Sequence, residues 1–161
     1  MNTRKYNKVV DLHSDAVYHF ILKNIKDKEI ARDVVQDTFE KLWVKVDSIS
    51  FEKAKSYLFT AAYHTMIDYI RKNKRIVKID DISEINNSHE KSYSDIGEIL
   101  NQAINKLSVN QRTVLMLRDY EGYSYNEISE ITGLNESQVK FYIYRARVFL
   151  KAYIGSIEKI L

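Results

Sequence analysis

Apolar residues in this chain recur at steps of three and four, the spacing of a helix face and not of a strand. Between residues 29 and 46 they fall at Ile30, Val34, Val35, Phe39, Leu42, Trp43 and Val46, while Asp33, Gln36, Asp37 and Glu40 mark the other side. Residues 56–75 predict another helix, with a polar stripe at Thr60, His64, Asp68, Arg71 and Arg75. An earlier helix is expected over 12–26. In the second half, Ser108 precedes Gln111, Ser124 precedes Glu127 and Asn135 precedes Gln138, each by three residues. A side chain at the first position accepts a free backbone N–H, and the second returns the bond one turn later. Gly122 and Gly133 stand where the preceding helices should stop. The elements expected are helices near 95–106, 109–120 and 125–132, and a long one from 136 to about 153.

Two of these, around Gly133, have the order of a helix-turn-helix: a short helix, a sharp turn, a longer basic helix. Ser129 is small enough for close packing, and Val139, Ile143, Ala146 and Leu150 form the buried seam of the second helix. At about 100° per residue, Ser137, Phe141, Tyr144 and Val148 lie opposite that seam, flanked by Lys140 and Arg145. Residues 138–151 contain four cations and no acid. Exposed aromatics among cations suit base-edge and thymine-methyl contacts, with the cations on phosphates. The plainer reading is a basic amphipathic helix whose aromatics pack on a neighbour.

Composition narrows the class. The chain has 161 residues, no proline and only four glycines, too few for the tight turns of a sandwich or barrel and for a phosphate-cradling loop. An all-α fold is expected. With no cysteine there is no disulfide scaffold, thiolate metal site or cysteine nucleophile. The four histidines, His13, His19, His64 and His89, lack metal-ligand spacing, and no nucleophile elbow is present. No apolar run approaches the roughly 20 residues that span a bilayer. The N-terminus has no apolar signal core, so a cytoplasmic protein without metal, cofactor or small-molecule substrate is expected.

Charge is more informative in its placement than in its total of +3. Residues 71–78 carry five bases and no acid, whereas 79–100 carry six acids and one lysine. A basic helix end followed by an acidic, Ser- and Asn-containing stretch reads as a linker, dividing the chain into lobes at 1–76 and 97–161 joined by 77–96. Arg71, Lys72, Lys74, Arg75 and Lys78 suit phosphate contacts. They equally suit the dipole at a helix C-terminus. Tyr57, Phe59, Tyr63 and Tyr69 just upstream could stack unpaired bases or fill a core. The acidic side of helix 29–46 is, by default, a solvated face.

Three stretches in order, ARDVVQDTFEKLWVKV (31–46), AKSYLFTAAYHTMIDYIRKNKR (54–75) and INKLSVNQRTVLMLRDYEGYSYNEISEITGLNESQVKFYIYRARVFLKAY (104–153), resemble the extracytoplasmic-function group of bacterial RNA polymerase sigma factors. The resemblance implies an all-α, two-lobed initiation factor that confers promoter specificity on core polymerase. Gln36 and Asp37 match positions that grip the clamp helices of the polymerase largest subunit, which makes Asp33, Gln36, Asp37 and Glu40 expected polymerase contacts. The loop 47–55 and the following helix match the segment that captures the separated minus-ten strand. His64, Asp68 and Arg71 stand where the family shows Asn, Asp and Arg, and Lys72, Lys74 and Arg75 extend that site. The helix 136–151 matches the reader of the minus-thirty-five element, with Ser137, Gln138, Lys140, Phe141, Tyr144 and Arg145 as expected DNA contacts. Further implied partners are the polymerase flap and an anti-sigma factor that holds both lobes inactive.

A linker of about 20 residues reaches roughly 70 Å at ~3.5 Å per residue, or about 20 base pairs. Two lobes on separate promoter elements would each gain effective concentration from the other. Strand separation would draw on binding unstacked bases and phosphates, without nucleotide hydrolysis. Two rival readings remain at this point. One is a stand-alone helix-turn-helix regulator binding a palindrome as a dimer, and the other is a helical adaptor that binds only proteins.

Overall fold

The computed structural model describes residues 1–73 and 96–160, and among these every regular element is helical. The first lobe holds α1 (Thr3–Ile25), α2 (Lys28–Val44) and α3 (Phe51–Asn73), each packed on the other two. Helix α1 begins well before the expected residue 12, because the Asn2 side chain accepts the Lys5 N–H and caps it. It ends at Lys26 in the left-handed region, and Asp27 caps α2 by accepting the N–H groups of Glu29 and Ile30. The expected loop 47–55 is shorter than the sequence pattern indicates, since α3 already starts at Phe51. The expected ends of α3 at Lys74 and Arg75, and the linker up to residue 95, lie outside the described residues, and its last expected position, Ile96, already opens the next helix.

The second lobe holds α4 (Ile96–Asn105), α5 (Val109–Leu115), α6 (Tyr125–Thr132) and α7 (Glu136–Ile160). The helix expected over 109–120 changes character halfway. Residues Met116–Tyr120 form a wider π-helical turn, after which the Glu121 N–H reaches Met116 O and the Tyr123 N–H reaches Leu117 O. Gly122, at φ +75°, completes the reversal. The capping pairs at Ser108–Gln111 and Ser124–Glu127 both close reciprocally, as their spacing predicts.

Both lobes contribute to one continuous core. Phe20, Leu58, Phe59 and Met66 from the first meet Leu117, Tyr123, Ile128 and Ile143 from the second. The Phe59 and Tyr123 rings meet edge-on at 6.0 Å. Phe59 and Tyr63 are therefore core residues and no stacking platform, while Tyr57 and Tyr69 are half-buried. Trp43 also departs from expectation. It leaves the apolar face of α2 and stays 47% exposed, with its ring edge against Tyr6 at 4.9 Å.

Candidate nucleic-acid interface

The turn between α6 and α7 is fixed by a short chain of polar bonds. Gly133 sits at φ +79°, and its N–H returns to Ser129 O at 2.9 Å. Ser129 Oγ donates to Leu134 O at 2.6 Å, and the Leu134 N–H reaches Thr132 Oγ1. Ser129 thus ties the turn as well as permitting close packing. At the next helix start, Asn135 Oδ1 accepts the Gln138 N–H at 2.8 Å and Gln138 Oε1 accepts the Asn135 N–H at 3.0 Å. Open space surrounds Gly133, so Gly133→Ala should cost only the left-handed backbone penalty, about 1–2 kcal/mol. Chemical denaturation of the purified protein would measure it.

This turn aims α7 outward. Val139, Ile143 and Ala146 are buried, whereas Phe141 is 56% and Tyr144 66% exposed, with Val148 beside them. Ser137, Gln138, Lys140 and Arg145 are exposed as well. The Arg145 guanidinium lies 5.8 Å from the Phe141 ring centre. Tyr125, at the start of α6, holds Arg118 at 4.5 Å and Lys140 at 5.6 Å over its ring. Arg147 pairs with Asp119 at 2.7 Å, and that bond raises its pKa. A shallow groove lined by Tyr125, Lys140, Tyr144, Arg147, Val148 and Lys151 runs along this face. No local pattern in the sequence marks Tyr125 for this face, and Arg147 is marked only by the cation run over 138–151. All six residues expected on the reading face are brought together, with the Oε1 of Gln138 committed to the cap.

On α3, His64, Asp68, Arg71 and Lys72 form one exposed stripe. Burial pushes the Tyr63 phenol pKa up, against the opposing pull of Arg71. Arg71 also borders a groove with Ile67 and Ile70, closed on the far side by Ser108, Val109 and Asn110 of the second lobe. On α2, Asp33, Gln36 and Glu40 are exposed and Asp37 is half-exposed, paired to Lys41 at 3.0 Å. Trp43 and Val44 continue that stripe as exposed apolar residues, an extension the apolar periodicity conceals. Among the described residues no group of three or more His, Asp or Glu could hold a metal ion, and no helix is long and apolar enough to cross a membrane.

The α6–α7 pair presents aromatics and cations, and the lobe it packs on carries an acidic stripe on α2 and a mixed, largely basic one on α3. The family model described as Sigma-70 region 2 matches residues 9–76, and that described as Sigma-70, region 4 matches residues 97–150. The chain is 32% identical over 151 residues to the ECF RNA polymerase sigma factor SigM of Bacillus subtilis (strain 168), covering 91% of this chain and 93% of that protein. Against the RNA polymerase sigma factor SigV of the same organism, identity is 32% over 137 residues, covering 83% and 81%. Among solved structures, the sigma factor RpoE in complex with the anti-sigma factor NepR from Bartonella quintana superposes with TM-score 0.76 at 26% identity, covering 95% of this chain and 98% of that one. CnrH in complex with the cytosolic domain of CnrY shares the fold, with TM-score 0.67 at 23% identity over 96% and 90% of the two chains. The chain belongs to the extracytoplasmic-function sigma factors of the sigma-70 family. It is a transcription initiation factor that binds core RNA polymerase and promoter DNA, not a stand-alone regulator.

Proposed function

We propose that the lobes, bounded at 1–76 and 97–161 with 77–96 between them, divide promoter recognition. The second lobe reads the duplex minus-thirty-five element through Ser137, Gln138, Lys140, Phe141, Tyr144 and Arg145. Phe141 and Tyr144 meet base edges and methyls, and the flanking cations meet phosphates. The first lobe captures the separated minus-ten strand with His64, Asp68, Arg71, Lys72, Lys74 and Arg75, where cations hold the phosphates and the His64 imidazole offers a base both a hydrogen bond and a ring face. Asp33, Gln36, Asp37 and Glu40 dock on the clamp helices of the polymerase largest subunit, and the second lobe meets the flap. The protein performs no covalent chemistry and acts in the cytoplasm, where the polymerase works. Its solved neighbour RpoE was captured with an anti-sigma factor, which supports a partner of that kind here.

The observation that carries this reading is the face of α7, where two large aromatics stand exposed among cations while the opposite seam is buried. Run-off transcription on sheared genomic DNA, with purified protein and matching core polymerase, tests it. Transcripts from a small set of sites that need both components are expected. Equal transcription without the protein, on a core proven active with a control sigma factor, would overturn it.

A further inference from the structure

Lys140, Arg147 and Lys151 fall within about 40° of one another around α7, at the turn of ~100° per residue of a helix. They form a row of exposed cations along one flank of the reading face, with Tyr144 and Val148 beside it. Arg118, 4.5 Å from the Tyr125 ring centre, adds a fourth cation from the π-helical turn. Of this row, only Lys140 belongs to the reading residues named above.

Residues 138–151 contain no acid, so a counter-charge for the row has to come from outside that stretch. Lys140 has a loose one in Glu136, a turn earlier on the same helix at 3.9 Å. Arg147 has a close one. Its Nη2 donates to Asp119 Oδ1 at 2.7 Å, across 28 positions of sequence, which makes it the shortest ion pair among the described residues. Asp119 lies in the π-helical turn, so α7 itself does not set its position. The two side chains are 50% and 39% exposed. A pair so open to water contributes little to the fold.

Its effect falls instead on what else Arg147 can bind. Carboxylate and phosphate oxygens take up the N–H groups of a guanidinium in the same way, so they compete for it. We infer that Asp119 is a competitor of the DNA backbone: it occupies Arg147 and removes one phosphate contact from the sequence-independent part of promoter affinity. The inference rests on α7 reading duplex DNA, as proposed above. With Arg147 occupied, a larger share of the affinity falls to base contacts made by Phe141 and Tyr144. Base contacts carry sequence information, and phosphate contacts do not.

Asp119→Asn keeps the size of the side chain and removes its charge. Holoenzyme assembled from the full chain and core polymerase is titrated with two fluorescent duplexes of equal length. One carries a promoter found by the run-off experiment, and the other has its minus-thirty-five element scrambled. Each phosphate contact adds about 0.9 to the slope of log affinity against log salt. Asp119→Asn should therefore steepen that slope by about one on both duplexes and leave the ratio between them unchanged. Its gain in affinity should shrink about 3.5-fold between about 50 and 200 mM salt. Adding Asp119→Asn to Arg147→Gln should leave the slope where Arg147→Gln sets it. Circular dichroism should give the parent helix content for every variant.

An unchanged slope in Asp119→Asn overturns the inference. Full steepening in the absence of Arg147 also overturns it, because Asp119 would then be a plain repulsive charge. Tightening confined to the promoter duplex overturns it as well, by making Arg147 a base reader. Phe141→Ala with Tyr144→Ala is the control for the underlying reading, and it should lose the preference for the promoter duplex. If that control keeps the full preference, the reading of α7 falls and the role of Asp119 falls with it. If the control loses the preference while Asp119→Asn is silent, only the role of Asp119 falls.

Discussion

Replacing Lys140, Phe141, Tyr144 and Arg145 together by Ala is expected to abolish promoter-directed transcription while leaving the helix content unchanged. All four side chains are exposed, and the seam that holds α7 in place runs through Val139, Ile143 and Ala146 on the other side. Alanine also favours the helix over each residue it replaces. A good base contact is worth about 1–3 kcal/mol, so promoter affinity should fall by roughly a thousandfold. Removing Lys140 and Arg145 should further flatten the salt dependence of binding by about two phosphate equivalents. The measurement is run-off transcription beside circular dichroism and a core-binding assay. Core binding should persist, because no substituted residue lies on α2. Full transcription from the variant would remove these four side chains from promoter reading.

Asp37→Arg is expected to weaken core polymerase binding at least tenfold. The carboxylate is half-exposed, and among the described residues its ion-pair partner is Lys41, a turn away on the same helix. Such a pair contributes only about 0.3–0.5 kcal/mol to helix stability, so the reversal leaves the fold intact. At a charge-complementary interface, in contrast, the substitution replaces an attraction by a repulsion, which acts on both encounter rate and affinity. Quantitative pull-down or fluorescence titration with core polymerase, in two salt concentrations, separates these effects. Unaltered affinity would make the Asp33–Glu40 stripe an ordinary solvated helix side. The two substitutions are complementary, since one removes DNA reading with polymerase binding intact and the other does the reverse.

The helix-turn-helix was legible from the sequence because its determinants are local. A cap at Ser124, a left-handed glycine at 133, a second cap at Asn135 and a seam of steps three and four each act over at most one or two turns. The exposure of Phe141 and Tyr144 followed from the seam by geometry. Features that depend on distant parts of the chain were not legible. Phe59 and Tyr63 read equally as base-stacking or core residues until α1 and the second lobe closed over them. Trp43 fitted the apolar face of α2 by period, yet its surroundings are set by Tyr6, which belongs to α1. Arg112 is buried with N–H groups on carbonyls of α1 and α4, and no local pattern in the sequence marks that burial. The early start of α3 escaped because residues 51–55 mix charge and apolar groups without a clear cap.

The π-helical turn at Met116–Tyr120 fixes an angular phase. An ordinary helix advances about 100° with every residue, and the wider i→i+5 turn advances less, so these five residues sweep about the angle of four in an ordinary helix. Wound as ordinary helix without loss of a residue, the same stretch would turn Tyr123 away from Phe59 and start α6 in another direction. The one extra residue that the wide turn absorbs thus keeps α6 and α7 in phase with the first lobe without involving any side chain of those helices.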